Sequence, residues 1–200
     1  MTREGFDLRS TLPTLRARRV RLRWMTESDV PSLFSIFGDR EVTRYWGHAV
    51  LPDPGAARVL LEEIHTRFAH RSLLQWGVAL LATDVVIGTC TLAALDAENR
   101  RAELGFALAR AYWGQGYMSE ALPVLLRFGF SELRLHRVWA DTDPRNAASI
   151  RALERHGFRR EGFLREHYLV QGEPQHAVVY GLLRSEWQRA NGAAAHGTQS

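Results

Sequence analysis

The chain has 200 residues, 46% hydrophobic and 24% charged, which suits one globular domain with a single core better than two. All 26 basic residues are arginine and the net charge is only +4; they are spread, with modest clusters at 16–23 and at Arg159, Arg160 and Arg165, so no nucleic-acid partner is expected. The one cysteine, Cys90, excludes an internal disulfide and a Cys-based zinc cluster, and no apolar run reaches the roughly 18 residues of a membrane span.

Residues 1–14 read as a flexible lead, without the apolar core of a signal sequence, and a cytoplasmic protein is expected. The domain proper, 15–188, begins with a strand at 20–25. Ser28 or Asp29, just before Pro31, starts a first helix that ends near Gly38. Residues 39–54 form a loop rich in aromatic and polar side chains, and 55–71 a second helix with apolar Val59, Leu60, Ile64 and Phe68. Strands at 73–81 and 85–95 follow, joined by a turn at Ala82, Thr83 and Asp84. Cys90 sits in the second of these, where a buried, inert thiol is expected.

The next strand alternates. Ala102, Leu104, Phe106 and Leu108 point one way; Glu103, Gly105, Ala107 and Ala109 point the other, where small neighbours leave room beside a carboxylate. The strand runs into Tyr112, Trp113, Gly114, Gln115 and Gly116 and then a helix over 116–130. Two glycines one residue apart let several backbone N–H groups converge on one point, and the helix adds its unpaired N-terminal donors and positive dipole end. A phosphate or pyrophosphate fits such a cradle. Pro123 lies inside this helix, which predicts a kink or a late start.

A strand at 136–141 leads to a helix over 144–156, read with Asp143 as N-cap, Pro144 as first helical residue and Gly157 as the left-handed residue beyond its end. Residues 158–167 and 177–183 form a closing hairpin whose turn holds Gly172 and Pro174. The tail, 189–200, lacks core residues and is expected to be disordered. This order of elements implies an α/β fold, a mixed sheet with helices on both faces. A dinucleotide fold is disfavoured, because Ser119 stands where its fingerprint needs glycine or alanine and the loop comes halfway along the chain.

Gly114 and Gly116 before one helix, with Asn146 opening the next before Gly157 and Phe158, resemble the GNAT acyltransferases. Finer wording, Glu103-Leu104-Gly105-Phe106, Tyr112-Trp113-Gly114-Gln115-Gly116-Tyr117, Ser119-Glu120-Ala121 and Asn146 with Ser149, is similar to the RimJ/RimL-type branch of ribosomal-protein N-terminal acetyltransferases. The resemblance implies a central, twisted, mostly antiparallel sheet of about seven strands with about four helices. It also implies direct acetyl transfer from acetyl-CoA to a primary amine, with no metal and no covalent acyl-enzyme. On that resemblance the coenzyme would lie along Phe106, Ala107, Leu108, Arg110, Ala111, Trp113, Gly114, Gln115, Gly116, Tyr117, Met118, Ser119, Asn146 and Ser149.

Acetyl transfer needs a neutral amine. An α-amine gives up only about 1 to 1.4 kcal/mol to be neutral at pH 7, and a lysine-type amine roughly 4.6 kcal/mol. Glu103 is the first candidate for the base; a salt bridge to Arg100 or Arg101 is the alternative. Glu166 and His167 are second candidates. Ser149 would protonate or solvate the leaving thiolate, or serve only as a buried serine; Asn146 would hold the pantetheine, or only cap its helix. Leu153 replaces the tyrosine acid of many relatives, and His176 stands where this branch commonly has an aspartate. Tyr45, Trp46 and His48 would line the acceptor pocket together with Glu103, Glu166 and His167, or pack in the core. The acceptor is a protein or peptide N-terminus, a small amine such as an antibiotic, polyamine or amino acid, or nothing, if the protein is a coenzyme-binding sensor. The closing hairpin also offers a surface for a homodimer.

Overall fold

A computed structural model describes residues 10–46, 49–170 and 172–196, with side chains to residue 191. One eight-stranded sheet runs through it in the order β1-β2-β3-β4-β5-β6-β8-β7. The strands are β1 (Leu15–Arg16), β2 (Val20–Arg23), β3 (Leu73–Leu80), β4 (Val86–Asp96), β5 (Arg101–Leu108), β6 (Arg137–Thr142), β7 (Arg159–Val170) and β8 (Glu173–Leu183). Neighbours are antiparallel except β5 and β6, which run parallel. The mixed, mostly antiparallel sheet expected from the resemblance is what forms, with one strand more.

Helices α1 (Val30–Phe37), a single-turn α2 (Arg40–Thr43), α3 (Pro54–Ala69), α4 (Tyr117–Arg127), α5 (Ala147–Arg155) and α6 (Arg184–His196) cover it. Their apolar stripes divide the core between the two faces. Leu33, Ile36, Leu61 and Ile64 of α1 and α3 pack with Ala79, Val86 and Ala107. Leu122 and Leu125 of α4 pack with Trp76, Leu92, Leu104 and Phe130. Burying such side chains contributes roughly 1.5–3 kcal/mol each. Ordered packing reaches back to Leu12, which is buried, and to Pro13, whose carbonyl accepts the Trp76 indole N–H at 2.9 Å. At the other end Trp187 stacks on Phe130, which ties α6 to the core.

Three local details differ from the sequence reading. Asp143 does not cap the last long helix: its carboxylate takes the Arg145 N–H at 2.7 Å, and the helix starts at Ala147 with Asn146 as N-cap. Pro174 lies in β8, leaving the turn to Gly172 at φ +86°. Pro123 sits inside α4 without a late start, and the helix widens into a π turn at Phe128–Glu132, where the Leu133 N–H reaches the Phe128 carbonyl. Proline has no N–H for the Ser119 carbonyl four residues back; the His156 ring, just beyond the end of α5, faces that carbonyl at 3.5 Å. Gly157, at φ +87°, ends α5 as predicted.

Candidate active site

The site opens where β5 and β6 part. Their pairing covers Arg101 to Glu103 against Arg137 to Trp139, and beyond it both strands line the same cavity. Two hollows meet there. The larger, about 730 Å³, lies between β5, the 113–119 segment and α5. The smaller, about 300 Å³, lies between β5, β6 and the β7–β8 hairpin. Phe106, Asn146 and Ser149 line both, as do Arg44, Tyr45 and Trp46 from the segment after α2.

In the larger groove Gly114 and Gly116 stand at φ +73° and +80°, a left-handed backbone that a Cβ disfavours. A Cβ on Gly114 would meet nothing within 4 Å, so the loop is open on that side. Alternating left-handed residues ahead of a helix N-terminus aim N–H groups outward, and Arg145, Arg151 and Arg155 line the same groove. That donor set suits a polyanion such as the phosphates of a coenzyme.

Eleven of the expected coenzyme positions line this groove: Phe106, Ala107, Leu108, Trp113, Gly114, Gly116, Tyr117, Met118, Ser119, Asn146 and Ser149. Arg110, Ala111 and Gln115 do not. They brace the loop instead: the Gln115 amide donates to the Ala111 carbonyl at 2.9 Å, and Arg110 pairs with Asp39 at 3.2 Å. The Trp113 indole donates to the Leu108 carbonyl at 2.7 Å. The sequence reading misses Arg151 and Arg155, although they lie four residues apart and so share one face of the helix that Asn146 opens.

The smaller cavity holds Glu103, half-buried on β5, with Gly105 beside it. Burial first, and the Asp141 carboxylate second, push the Glu103 carboxyl above the usual range, while Arg67 pulls the other way. Asp141, on β6, also lines the cavity, and the Tyr168 hydroxyl donates to it at 2.6 Å. Burial, then that bond, push the Tyr168 hydroxyl well up, so it remains a donor. Tyr45 and Trp46 line the cavity as expected. Glu166 and His167 do not: both are exposed on β7, and Tyr168, Gln175 and His176 take the places expected for them. His48 lies outside the described residues.

Asn146 is both cap and lining residue. Its side-chain oxygen accepts the Ser149 N–H at 3.1 Å, which leaves its NH₂ uncommitted to that bond. Cys90 is fully buried, with its thiol against the Met118 sulfur at 3.6 Å, and burial pushes it far up. It is no nucleophile in the folded protein.

Fold, cradle and split strands define an acyltransferase architecture, and the chain belongs to the GNAT acetyltransferase family: residues 19–159 match the acetyltransferase (GNAT) domain. It is 34% identical over 176 residues to p20, an uncharacterised N-acetyltransferase of Bacillus licheniformis, covering 88% of this chain and 99% of that one. It is 36% identical over 109 residues, 54% of this chain and 60% of the other, to YdaF of Bacillus subtilis, described as a candidate ribosomal N-acetyltransferase. The crystal structure of a candidate acetyltransferase from T. thermophilus superposes with a TM-score of 0.79 at 32% identity, over 94% of this chain and 98% of that one. The protein is thus an N-acetyltransferase of RimJ/RimL-like type. Among the described residues no helix is long and apolar enough to cross a membrane, and no cluster of metal-ligating side chains occurs.

Proposed function

We propose that the protein transfers an acetyl group from acetyl-CoA directly to a primary amine, with a protein or peptide α-amine as acceptor. The observation that carries this reading is the meeting of a phosphate-suited groove and a carboxylate-lined cavity at Phe106, Asn146 and Ser149. Acetyl-CoA would supply the thioester. Gly114, Gly116 and the N-terminus of α4 would hold its pyrophosphate, with Arg151 and Arg155 adding positive field. The Asn146 amide would bond the pantetheine while its oxygen caps α5.

On this reading Glu103 takes the proton of the incoming amine, directly or through a water. Its raised proton affinity suits it to that task near neutral pH. The Ser149 hydroxyl, at the junction, solvates or protonates the sulfur that leaves. Neutralising an α-amine at pH 7 needs only about 1 to 1.4 kcal/mol, within reach of one modest base. YdaF, described as a candidate ribosomal N-acetyltransferase, supports the α-amine. A second reading, a small diamine, is favoured by a different observation: two carboxylates, Glu103 and Asp141, line one cavity of about 300 Å³.

Calorimetric titration with acetyl-CoA, followed by turnover with a peptide N-terminus and with a diamine, tests both. Micromolar binding abolished by Gly116→Glu, with peptide turnover preferred, supports the first. Preferred diamine turnover replaces it with the second. Folded protein that does not bind acetyl-CoA sinks the groove assignment.

A further inference from the structure

The β7–β8 hairpin has an irregularity that the reaction outlined above does not use. Its register jumps from Leu164↔Ala177 to Tyr168↔Gln175, so residues 165–167 stand opposite His176 alone. Within this bulge Glu166 takes φ +49°, a left-handed conformation that side chains rarely hold without support. The support is present: the Glu166 N–H donates to His176 Nδ1 at 2.9 Å, which requires that nitrogen as acceptor and leaves the ring proton on Nε2. A bulge re-aims the side chains that follow it, and the side chain that follows is Tyr168. Its hydroxyl reaches past β8 to Asp141 on β6.

Asp141 is aligned with Glu103. The parallel register pairs Glu103 with Trp139, and Asp141 lies two residues further along β6, hence on the same sheet face. Both line the smaller cavity. Their surroundings differ: Tyr168 donates to one Asp141 oxygen at 2.6 Å, whereas no hydrogen bond ties the Glu103 side chain among the described residues. A carboxylate oriented by a fixed donor suits binding; an untethered one suits proton transfer.

We infer that Asp141, clamped by Tyr168, is the ammonium seat of the acceptor cavity, and that the β7 bulge exists to deliver the clamp. The inference rests on the proposed role of Glu103. Asp141 receives the acceptor as its cation and holds the nitrogen beside Glu103. One proton then passes from R–NH₃⁺ to the Glu103 carboxylate, giving R–NH₂ and a Glu103 carboxylic acid, while Asp141 keeps its charge. Among the described residues the charged and titratable groups around Glu103 are Asp141 from β6, Arg67 from α3, Tyr168 from β7, and Arg44, Tyr45, Asp143 and His176 on the cavity wall. Asp141 and Tyr168 are positioning residues in this scheme.

The test compares wild type with Asp141→Asn, Tyr168→Phe and Glu103→Gln, using an alanyl dipeptide amide and butylamine as acceptors and calorimetric acetyl-CoA binding as the control for folding. Alongside, the Glu103 carboxyl is titrated by carbon NMR, without acceptor or coenzyme. In Asp141→Asn the amine KM rises roughly tenfold, and both the Glu103 titration and the acid limb of kcat/KM move down, since a like charge is gone. Tyr168→Phe raises KM by about threefold or more with kcat within about twofold of wild type. An Asp141→Asn protein whose KM and Glu103 titration both match wild type overturns the inference. If that variant fails to fold, the isosteric Tyr168→Phe decides by its KM. Wild-type kcat in Glu103→Gln instead removes the base, and leaves the ammonium seat to be judged on KM alone.

Discussion

Arg19 grips Glu120 across 101 positions of sequence: its Nε donates to Oε1 at 2.6 Å and its own backbone N–H to Oε2 at 2.8 Å. The same guanidinium donates to the Gln115 carbonyl at 2.8 Å and lies over the Tyr117 ring at 4.5 Å. One side chain from the β1–β2 turn therefore holds both the glycine loop and the first turn of α4. A nest for phosphate works only if its N–H groups are already oriented, because ordering them on binding would consume affinity.

Arg19→Ala should accordingly weaken acetyl-CoA binding by roughly fivefold to tenfold, about 1 to 1.4 kcal/mol, while leaving the melting temperature within a few degrees. Burial alone would raise the Glu120 carboxyl; the Arg19 bonds and the charges of Arg19 and Arg18 outweigh it and hold the group below its usual range. A lowered carboxyl contributes above its unfolded value and loses the contribution as pH falls through its folded one. The affinity gap between wild type and Arg19→Ala should therefore be full at neutral pH and close only as pH falls below the ordinary carboxylate range. Calorimetry at several pH values reads the gap directly, and a gap that persists in acid refutes the tie.

Glu103 has the opposite sign. Burial, then Asp141, raise its folded value, so the folded state prefers the protonated carboxyl and stability falls as pH climbs from the unfolded value through the folded one. Glu103→Gln removes that burden and should be at least as stable as wild type at pH 7. Activity goes the other way, down by about 10²–10⁴-fold, and the wild-type acid limb lies above the ordinary carboxylate range. Thermal melts and a pH–rate profile check the pair; a destabilised Gln variant with full activity contradicts both halves.

What was legible in the sequence is what local constraints dictate. Gly114 and Gly116 announce left-handed backbone, and the period of two in β5 places Glu103 opposite Ala102 and Leu104 without tertiary information. The acceptor wall was illegible for a matching reason. The resemblance points to the strand after Phe163 and so to Glu166 and His167, but the bulge over 165–167 interrupts the period of two in β7, and the chain presents Tyr168 to the cavity instead. Asp143-Pro144 has the composition of a helix start, but Arg145 captures the Asp143 carboxylate at 2.6 Å and 2.9 Å, and Asn146 becomes the cap. Side-chain competition of that kind is decided in three dimensions.

Cys90 tests the direct-transfer mechanism. Its fully buried thiol, pushed far up by burial, should resist alkylation in the native protein and react only on unfolding. Cys90→Ala leaves a small void beside Met118, at a cost of about 1 kcal/mol, and should retain turnover within about twofold, which bounds the change in barrier near 0.4 kcal/mol. A large loss of activity in a well-folded Cys90→Ala protein would overturn the direct-transfer mechanism.

Two glycines on one ladder separate folding from function. Gly88 of β4 faces Leu108, and a Cβ there would collide with the Ala107 carbonyl and come within 3.3 Å of the Leu108 Cα. Backbone cannot yield as a side chain does, so Gly88→Ala must push β4 from β5 and should destabilise by about 2–3 kcal/mol, lowering the melting temperature by roughly 5–10 °C. Gly105, opposite Thr91 on the same pair of strands, would bring its Cβ no closer than 3.6 Å to the Thr91 Cβ. That methyl is tolerated by the fold but occupies the acceptor cavity that Gly105 lines. Gly105→Ala should melt within a few degrees of wild type and raise the amine KM severalfold with acetyl-CoA affinity unchanged. Equal melting losses in the two variants would show that β5 is constrained alike on both sides, leaving no open face for an acceptor.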